Sequence, residues 1–282
     1  MKLQSFLLII VAGFLFSGCD EIDGPYGVSG TGGPIGGDTI VRNVLIEDYT
    51  GHTCQACPNA HREATRLHNL FGERLIVIAE HADFWADPYP AGAPYFTYDF
   101  RTPLATQIAT DFGVMGQPFP KGMVNRMLNA GTNDPLILDW GSWEDKVTQW
   151  LDTPADAGLE ITPGYEAATK SITAEVKVKV VNDLTDPAEL AVYFIEDSIL
   201  QWQKDGSVNV QNYVHNHVLR GSLNGTYGEN IGTVAAGTSI TKTYSGPLVP
   251  TDAVPEHVKL VAILTNSVTH EVIQVEEIDL LP

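Results

Sequence analysis

Two cysteines three residues apart are the most chemically suggestive feature of this 282-residue sequence. Cys54 and Cys57 form a single Cys-Gln-Ala-Cys segment, and the one remaining cysteine, Cys19, lies far upstream. Thiols at this spacing can exchange disulfides: one thiolate attacks a substrate disulfide, and the second thiol then releases the product. The spacing therefore predicts a thiol–disulfide exchange centre.

The residues around this pair predict the elements that position it. Their patterns favour a strand from Val41 to Tyr49, a helix from Asn59 to Phe71 and a second strand from Leu75 to Ala79. Cys54 would then lie at a helix N-terminus, where unpaired N–H groups and the helix dipole stabilise a thiolate. We predict that Cys54 is the nucleophile and that Cys57, one turn further, is the resolving cysteine.

A metal centre is the main alternative chemistry for the same residues. His52, Cys54, Cys57 and His61 could supply imidazole and thiolate ligands to copper or zinc. A solvated helix position explains His61 equally well, so we favour a site without metal. A c-type haem is excluded because Pro58, rather than a histidine, follows the second cysteine. The sequence predicts no cofactor.

Two further groups of residues could belong to a site but are predicted to be structural. His215 and His217 alternate on a predicted strand and so share a face, where packing or surface roles are commoner than ligation. The segment from His81 to Thr102 is rich in aromatic side chains. A loop packed on its own domain is favoured for it over a peptide-binding wall.

The amino-terminal region has the layout of a bacterial lipoprotein signal. A basic start and an apolar run, too short to span a bilayer, lead to Ser17-Gly18 and then to Cys19. We predict a signal peptide over residues 1–18, a lipid anchor on Cys19, and a flexible Gly-rich tether over residues 19–38. The net charge of −19 makes nucleic acid an unlikely partner.

The second half of the chain has the two-residue period of half-buried strands. Apolar and polar side chains alternate from Ile172 to Val180, and shorter runs at Leu190–Ile195, Tyr213–Leu219, Ser239–Tyr244 and Lys259–Thr265 continue the theme. Several short strands at this spacing predict an all-β immunoglobulin-like sandwich over residues 155–282.

The first half resembles the thioredoxin superfamily. Asp48 lies six residues before Cys54, where thioredoxins keep a buried carboxylate that exchanges protons with the resolving cysteine. The segment that contains Pro118 and Pro120 resembles the turn that carries their cis-proline. Pro120 is favoured, because a proline inside the strand that follows would cost a ladder hydrogen bond. The resemblance implies an α/β thioredoxin-like domain over residues 39–154, with Asp48 and Pro120 as site residues.

A closer resemblance covers nearly all of the mature chain. Glu47-Asp-Tyr-Thr-Gly51 before the cysteine pair, Gly122-Met-Val-Asn-Arg126 and Tyr213-Val-His-Asn-His-Val-Leu-Arg220 resemble a family of Bacteroidota lipoproteins named for a 28-kDa outer-membrane protein. This implies a lipid-anchored outer-membrane protein, exposed to the periplasm or the surface, with a thioredoxin-like domain followed by a β-domain. It implies no particular substrate.

More than one function is compatible with these observations. We predict thiol–disulfide exchange on extracytoplasmic proteins, whose thiols or disulfides would be the partners. The alternatives are a non-catalytic surface binding or adhesion module in which Cys54–Cys57 is a structural disulfide, or a metal-binding Cys-x-x-Cys.

Overall fold

The computed structural model describes residues 40–282, so the predicted signal peptide, the Cys19 anchor and the tether lie outside the described residues. The described part contains thirteen strands and three α-helices. The helices are α1 (Cys57–Phe71), α2 (Pro103–Asp111) and α3 (Trp143–Leu151). The strands are β1 (Val44–Thr50), β2 (Leu75–His81), β3 (Lys121–Val124), β4 (Ala157–Glu166), β5 (Ser171–Val180), β6 (Leu184–Glu196), β7 (Ile199–Asp205), β8 (Val208–His215), β9 (Val218–Ser222), β10 (Glu229–Val234), β11 (Ser239–Pro247), β12 (Val258–Asn266) and β13 (Val272–Asp279).

One large sheet runs through both halves of the chain. Its strands follow the order β13-β12-β6-β9-β2-β1-β3, and β10 also pairs with β6. β1 and β2 are parallel neighbours, β3 is antiparallel to β1, and β9 meets β2 through the pair Ala79 and Val218. A second sheet has the order β11-β5-β4, and β7 and β8 form a separate two-stranded hairpin.

The predicted fold class, an α/β thioredoxin-like domain followed by a separate immunoglobulin-like sandwich, is wrong. The described chain is mostly β-sheet with few helices, and strands β6, β9, β12 and β13 continue the sheet that contains β1, β2 and β3. Side chains tie the halves together as well: Arg42 donates hydrogen bonds to the carbonyls of Pro154 (2.6 Å) and Ile273 (2.8 Å). The domain boundary between residues 154 and 155 stays a prediction, and one sheet crosses it.

Three apolar clusters hold these layers together. One lies between the helices α1 and α3 and one face of β1, β2 and β3. The opposite face of the same strands packs with α2, the cysteine pair and residues of β6, β9, β12 and β13. The third fills the space between the β11-β5-β4 sheet and the distal part of the large sheet. In β5, the alternating residues from Ile172 to Val180 face this third cluster, as their period predicts.

Local sequence explains the unit that carries the cysteines. All seven residues of β1 and all seven of β2 are buried, because helices or loops cover both faces of these strands. In α1, Ala60, Ala64, Leu67 and Phe71 are buried at a spacing of three to four residues. The helix ends at Gly72, which has a φ of 62° that favours glycine. No helix in residues 40–282 has the length and apolar character needed to cross a membrane.

Candidate functional site

Cys54 and Cys57 form a disulfide at the start of α1, with their Cα atoms 5.5 Å apart. Pro58 occupies the first turn of the helix, where its missing N–H costs no hydrogen bond. The N-cap residue is Ala56, whose side chain makes no capping hydrogen bond. Instead, the Cys57 N–H donates to the Cys54 sulfur at 3.1 Å. Both cysteines are buried, with Cys54 only 1 % exposed and Cys57 fully covered.

A loop after β2 holds the turn before the disulfide from one side. The Thr53 N–H and hydroxyl both donate to the carbonyl of Trp85, at 3.1 and 2.7 Å. Gly51 allows this approach, because a Cβ there would lie 2.3 Å from the Trp85 backbone. The turn is therefore fixed against this loop through its backbone.

The β7–β8 hairpin covers the same turn from the other side. The Lys204 N–H donates to the His52 carbonyl, and the Gly206 N–H donates to the Gln55 carbonyl, both at 2.9 Å. The Gln203 side-chain amide is fully buried and donates to the Cys54 carbonyl at 3.1 Å. These bonds hold the hairpin as a cover over the turn that carries the two cysteines.

Asp48, predicted as a site residue, is a buried carboxyl on β1. Burial raises its pKa to about 8, so it is mostly protonated at neutral pH. Its Oδ2 lies 3.7 Å from His61 Nε2 on α1, and its Oδ1 has no hydrogen-bond partner in the described chain. His61 also contacts the Thr50 hydroxyl and the Tyr213 hydroxyl, each at 2.8 Å. Burial, with His217 and Arg62 nearby, lowers the pKa of His61 to about 4.

Pro120 lies at the same end of β1 as the cysteines. The Phe119–Pro120 peptide bond is cis, at the position that the sequence favoured over Pro118. Pro120 is buried, whereas Pro118 is exposed. Lys121, the next residue, pairs with Tyr49 near the carboxyl end of β1. The catalytic roles assigned to Cys54, Cys57, Asp48 and Pro120 stay predictions.

The aromatic segment between His81 and Thr102 packs on its own chain. Phe96 and Phe100 are buried. Phe96 stacks on His52 with ring centroids 5.5 Å apart, and the Phe100 ring lies 4.4 Å from that of His81 and 4.5 Å from that of His215. The segment therefore fills space between the cysteine turn and the hairpin.

The structure does not assemble the alternative metal centre. His52 Nε2 contacts the Asp87 carbonyl at 3.2 Å, and His61 faces Thr50, Asp48 and Tyr213. Within residues 40–282, no group of three or more histidine, cysteine, aspartate or glutamate side chains is arranged to hold a metal ion.

Sequence reasoning missed the residues that cover the disulfide. Gln203 was not selected, although a polar side chain between Trp202 and Lys204 on an alternating strand could have indicated an inward-facing polar group. It selected His215 and His217 only as packing or surface residues, and it did not select His81. These histidines surround one cavity together with Asp48 and His61.

The fold and the site define a class: a predominantly β protein with a buried disulfide at the start of a helix and a hairpin bonded to the turn that carries it. The profile of the family described as outer membrane protein Omp28 matches residues 105–280, more than half of the chain. The chain therefore belongs to the Omp28 family of outer-membrane proteins, and its location is the outer membrane. The family resemblance seen in the sequence is thereby confirmed.

Solved structures resemble the chain to different extents. HBP35 of Porphyromonas gingivalis is 21% identical, with a TM-score of 0.66 over 86% of this chain and 76% of that one. Protein AGR_C_4864 from Agrobacterium tumefaciens is 14% identical, with a TM-score of 0.52 over 86% of this chain and 96% of that one. A domain of the outer membrane lipoprotein Omp28 from Porphyromonas gingivalis is 25% identical over 45% of this chain and 91% of that one, with a TM-score of 0.33. No curated protein matches the chain.

Proposed function

We propose that this outer-membrane protein acts by binding, and that Cys54–Cys57 is a structural disulfide. The observation that carries the proposal is the burial of both cysteines: Cys54, the residue predicted to attack, is 1 % exposed, and Cys57 is fully buried. Disulfide exchange needs a partner sulfur to reach the attacking sulfur directly. Both cysteines lie within the apolar cluster that includes α2, and the hairpin is bonded to the backbone of the same turn, so neither residue is open to a partner in this conformation.

The hairpin offers a surface for binding. Leu200 and Val214 are paired across its two strands and are 60 % and 48 % exposed, and Val208 near its turn is 58 % exposed. Leu200 and Val214 form a contiguous aliphatic pair on the surface, and exposed apolar patches mark sites of contact with other molecules. A structural disulfide would keep rigid the turn to which this hairpin is bonded.

The proposal includes the membrane attachment expected from the sequence. Cys19 would carry the lipid, and the tether over residues 19–38 would hold the body away from the membrane. Cys19→Ala is expected to release the folded protein into the soluble fraction. A Cys19→Ala protein that still partitions with membranes would contradict the anchor.

Thiol–disulfide exchange is the second candidate, and one observation favours it. The Cys57 N–H already donates to the Cys54 sulfur at 3.1 Å, and the same bond would stabilise a Cys54 thiolate after reduction. Asp48 would then exchange protons with the resolving Cys57. Exchange would require the hairpin to move away first.

Turnover and trapping separate the two candidates. The full chain is assayed for reduction of insulin disulfides with dithiothreitol as electron donor, beside a Cys54→Ala/Cys57→Ala control. The proposal predicts equal rates for the two proteins, and no mixed disulfides on Cys57→Ser after incubation with periplasmic proteins. Turnover above the control, together with partners trapped on Cys57→Ser but not on Cys54→Ser, would replace the proposal with the second candidate.

A further inference from the structure

Four histidines surround one cavity between the hairpin and the body of the protein. His61 on α1, His81 at the end of β2, His215 at the end of β8 and the following His217 line a cavity of about 200 Å³. Asp48 lines it as well. Two of the four histidines lie at or just beyond the end of the hairpin, and two belong to the body beneath it.

Two of these histidine rings are buried without hydrogen bonds that would replace those they make to water. His81 and His215 are each 2 % exposed, and neither ring nitrogen of either residue has a hydrogen-bond partner in the described chain. Their ring centroids are 5.7 Å apart. Burial and the other histidines lower the pKa of His81 far below its usual range. Burial lowers the pKa of His215 to about 3, despite the nearby carbonyls of Trp202 and Gln201.

No strand ladder joins the hairpin to the body, since β7 and β8 pair only with each other. The hairpin is attached instead through the bonds of Gln203, Lys204 and Gly206 to the cysteine turn, the hydrogen bond between Tyr213 and His61, and ring packing of Trp202 and His215 on the aromatic segment. Asp205 adds an exposed ion pair with Arg62 at 3.0 Å, which contributes little. Such an element can separate from the body without unfolding the large sheet.

Other charged groups also face the cavity or its histidines. Asp48 comes from β1, His52 from the cysteine turn, Arg62 from α1 and Arg220 from β9. His217 faces Asp197, Glu277, His68 and Lys259. Its carbonyl accepts the Ala79 N–H at 2.7 Å, so His217 stays with the body when the hairpin moves.

We propose that the β7–β8 hairpin is an acid-released cover over the turn that carries Cys54 and Cys57, and that it opens when His81 and His215 become protonated. The device is independent of whether the disulfide is structural or reactive, because it controls access to this turn and not the chemistry of the sulfurs.

The direction follows from proton linkage. In the closed state His81 and His215 are neutral, whereas hydrated imidazoles have a pKa of about 6.5. The closed state is therefore favoured above this value and loses stability as the pH falls below it. Together the two histidines favour opening about 100-fold between pH 7.5 and pH 5.5. His61, released from Tyr213, would add about 10-fold, whereas Asp48, whose carboxyl ionises once it is hydrated, would oppose opening at low pH by about 70-fold. The net expectation is an opening constant about 10-fold larger at pH 5.5 than at pH 7.5.

Hydrogen exchange of the full chain tests this directly. Exchange of the hairpin peptide that contains the Lys204 and Gly206 amides is measured at pH 7.5 and 5.5, and each rate is corrected for the intrinsic pH dependence of exchange. Protection of this peptide is expected to fall about 10-fold. Strand β5, whose sequence contains no histidine, reports global unfolding and is expected to keep its protection.

Matched variants assign the effect to the two rings. His81→Gln and His215→Gln should each reduce the pH response about tenfold and so nearly abolish it, because each removes one titrating group. His257→Gln, at an exposed histidine, should leave it unchanged. Hairpin protection that does not change with pH, or that falls together with that of β5, would overturn the proposal on wild-type protein alone. A full response in both variants would overturn it as well.

Discussion

The two ends of this molecule are stabilised by different kinds of interaction. Around the β11-β5-β4 sheet, the third cluster is built from aliphatic side chains such as Val176, Leu190 and Leu260. Around the cysteine pair, the junction between body and hairpin contains buried Asp48, His81 and His215. The first region gains its stability mainly from apolar burial and from the strand ladders of its sheet. The second depends on protonation states and on a few hydrogen bonds.

This difference teaches where the protein can respond to its surroundings. Burial of aliphatic groups changes little with pH or redox conditions. Buried ionisable groups change their contribution with every proton gained or lost. We therefore expect the sandwich end to behave as a constant scaffold and the hairpin end to carry any response.

The largest expected effect breaks the scaffold. Leu260 on β12 is fully buried in the third cluster. Leu260→Ala should lower the free energy of unfolding by about 2–5 kcal/mol, through lost burial and a residual cavity. Urea unfolding should give the same loss at pH 5.5 and pH 7.5. Leu200→Ala, at a 60 % exposed position, should change it by less than about 0.5 kcal/mol. If the loss of unfolding free energy in Leu260→Ala differed strongly between the two pH values, the proposed difference between the two ends would be contradicted.

Asp48→Asn tests the pH dependence of the hairpin end. The folded pKa of Asp48 is about 8, above its unfolded value of about 3.9, so the folded state retains a proton that the unfolded chain has released. This group's contribution is therefore fully present below about pH 4 and falls by about 1.4 kcal/mol per pH unit toward pH 8. As the pH rises from 5 to 7, the free energy of unfolding of Asp48→Asn should therefore increase by about 3 kcal/mol relative to that of the wild type. Exposed Asp134→Asn should run parallel to wild type, and parallel behaviour of Asp48→Asn would contradict the buried, protonated carboxyl.

The disulfide itself should contribute moderately. It closes a loop of four residues, for which the chain-entropy estimate is about 2 kcal/mol. The Cys54→Ala/Cys57→Ala variant should therefore unfold about 2 kcal/mol more easily than the oxidised wild type, measured by urea unfolding. Cys19→Ala, which removes a thiol outside the pair, is the control and should be neutral. A neutral double variant would argue against a structural role.

The smallest expected effect concerns the cover. Gln203 donates hydrogen bonds to the carbonyls of Cys54 and Lys204. Gln203→Leu leaves both carbonyls without this partner and should lower the free energy of hairpin opening by about 1–2 kcal/mol. Hydrogen exchange of the hairpin measures this value. Exposed Gln211→Leu on the same hairpin should have no effect, and equal behaviour of the two variants would show that Gln203 does not hold the cover.

The sequence predicted local elements well, because their signals are local. Helix α1 begins two residues before the predicted Asn59, and the alternation from Ile172 to Val180 became β5. The run Tyr213–Leu219 is interrupted between His215 and Val218, where His217 has a φ of 59°. A two-residue period shows which face of a strand is buried, but it does not show which strands become neighbours.

The same reason limits what could be predicted about the site. The spacing of Cys54 and Cys57 indicated their disulfide, which the structure contains. Their burial could not be predicted, since the covering Gln203 lies about 150 residues away and its position depends on tertiary packing. The contact between His81 and His215 could not be predicted for the same reason, since it also depends on tertiary packing.

The rate at which the native disulfide is reduced tests the central claim most directly, since the claim is that the hairpin shields Cys54–Cys57. Reduction of wild-type protein by dithiothreitol is followed at pH 7.5, in buffer and in a urea concentration that unfolds the chain. If the cover costs roughly 3 kcal/mol to open, reduction in buffer should be about 100-fold slower than in urea. For Gln203→Leu, the ratio of the reduction rate in urea to the rate in buffer should be about tenfold smaller than for the wild type. A native disulfide that is reduced as fast as that of the unfolded chain would contradict the account.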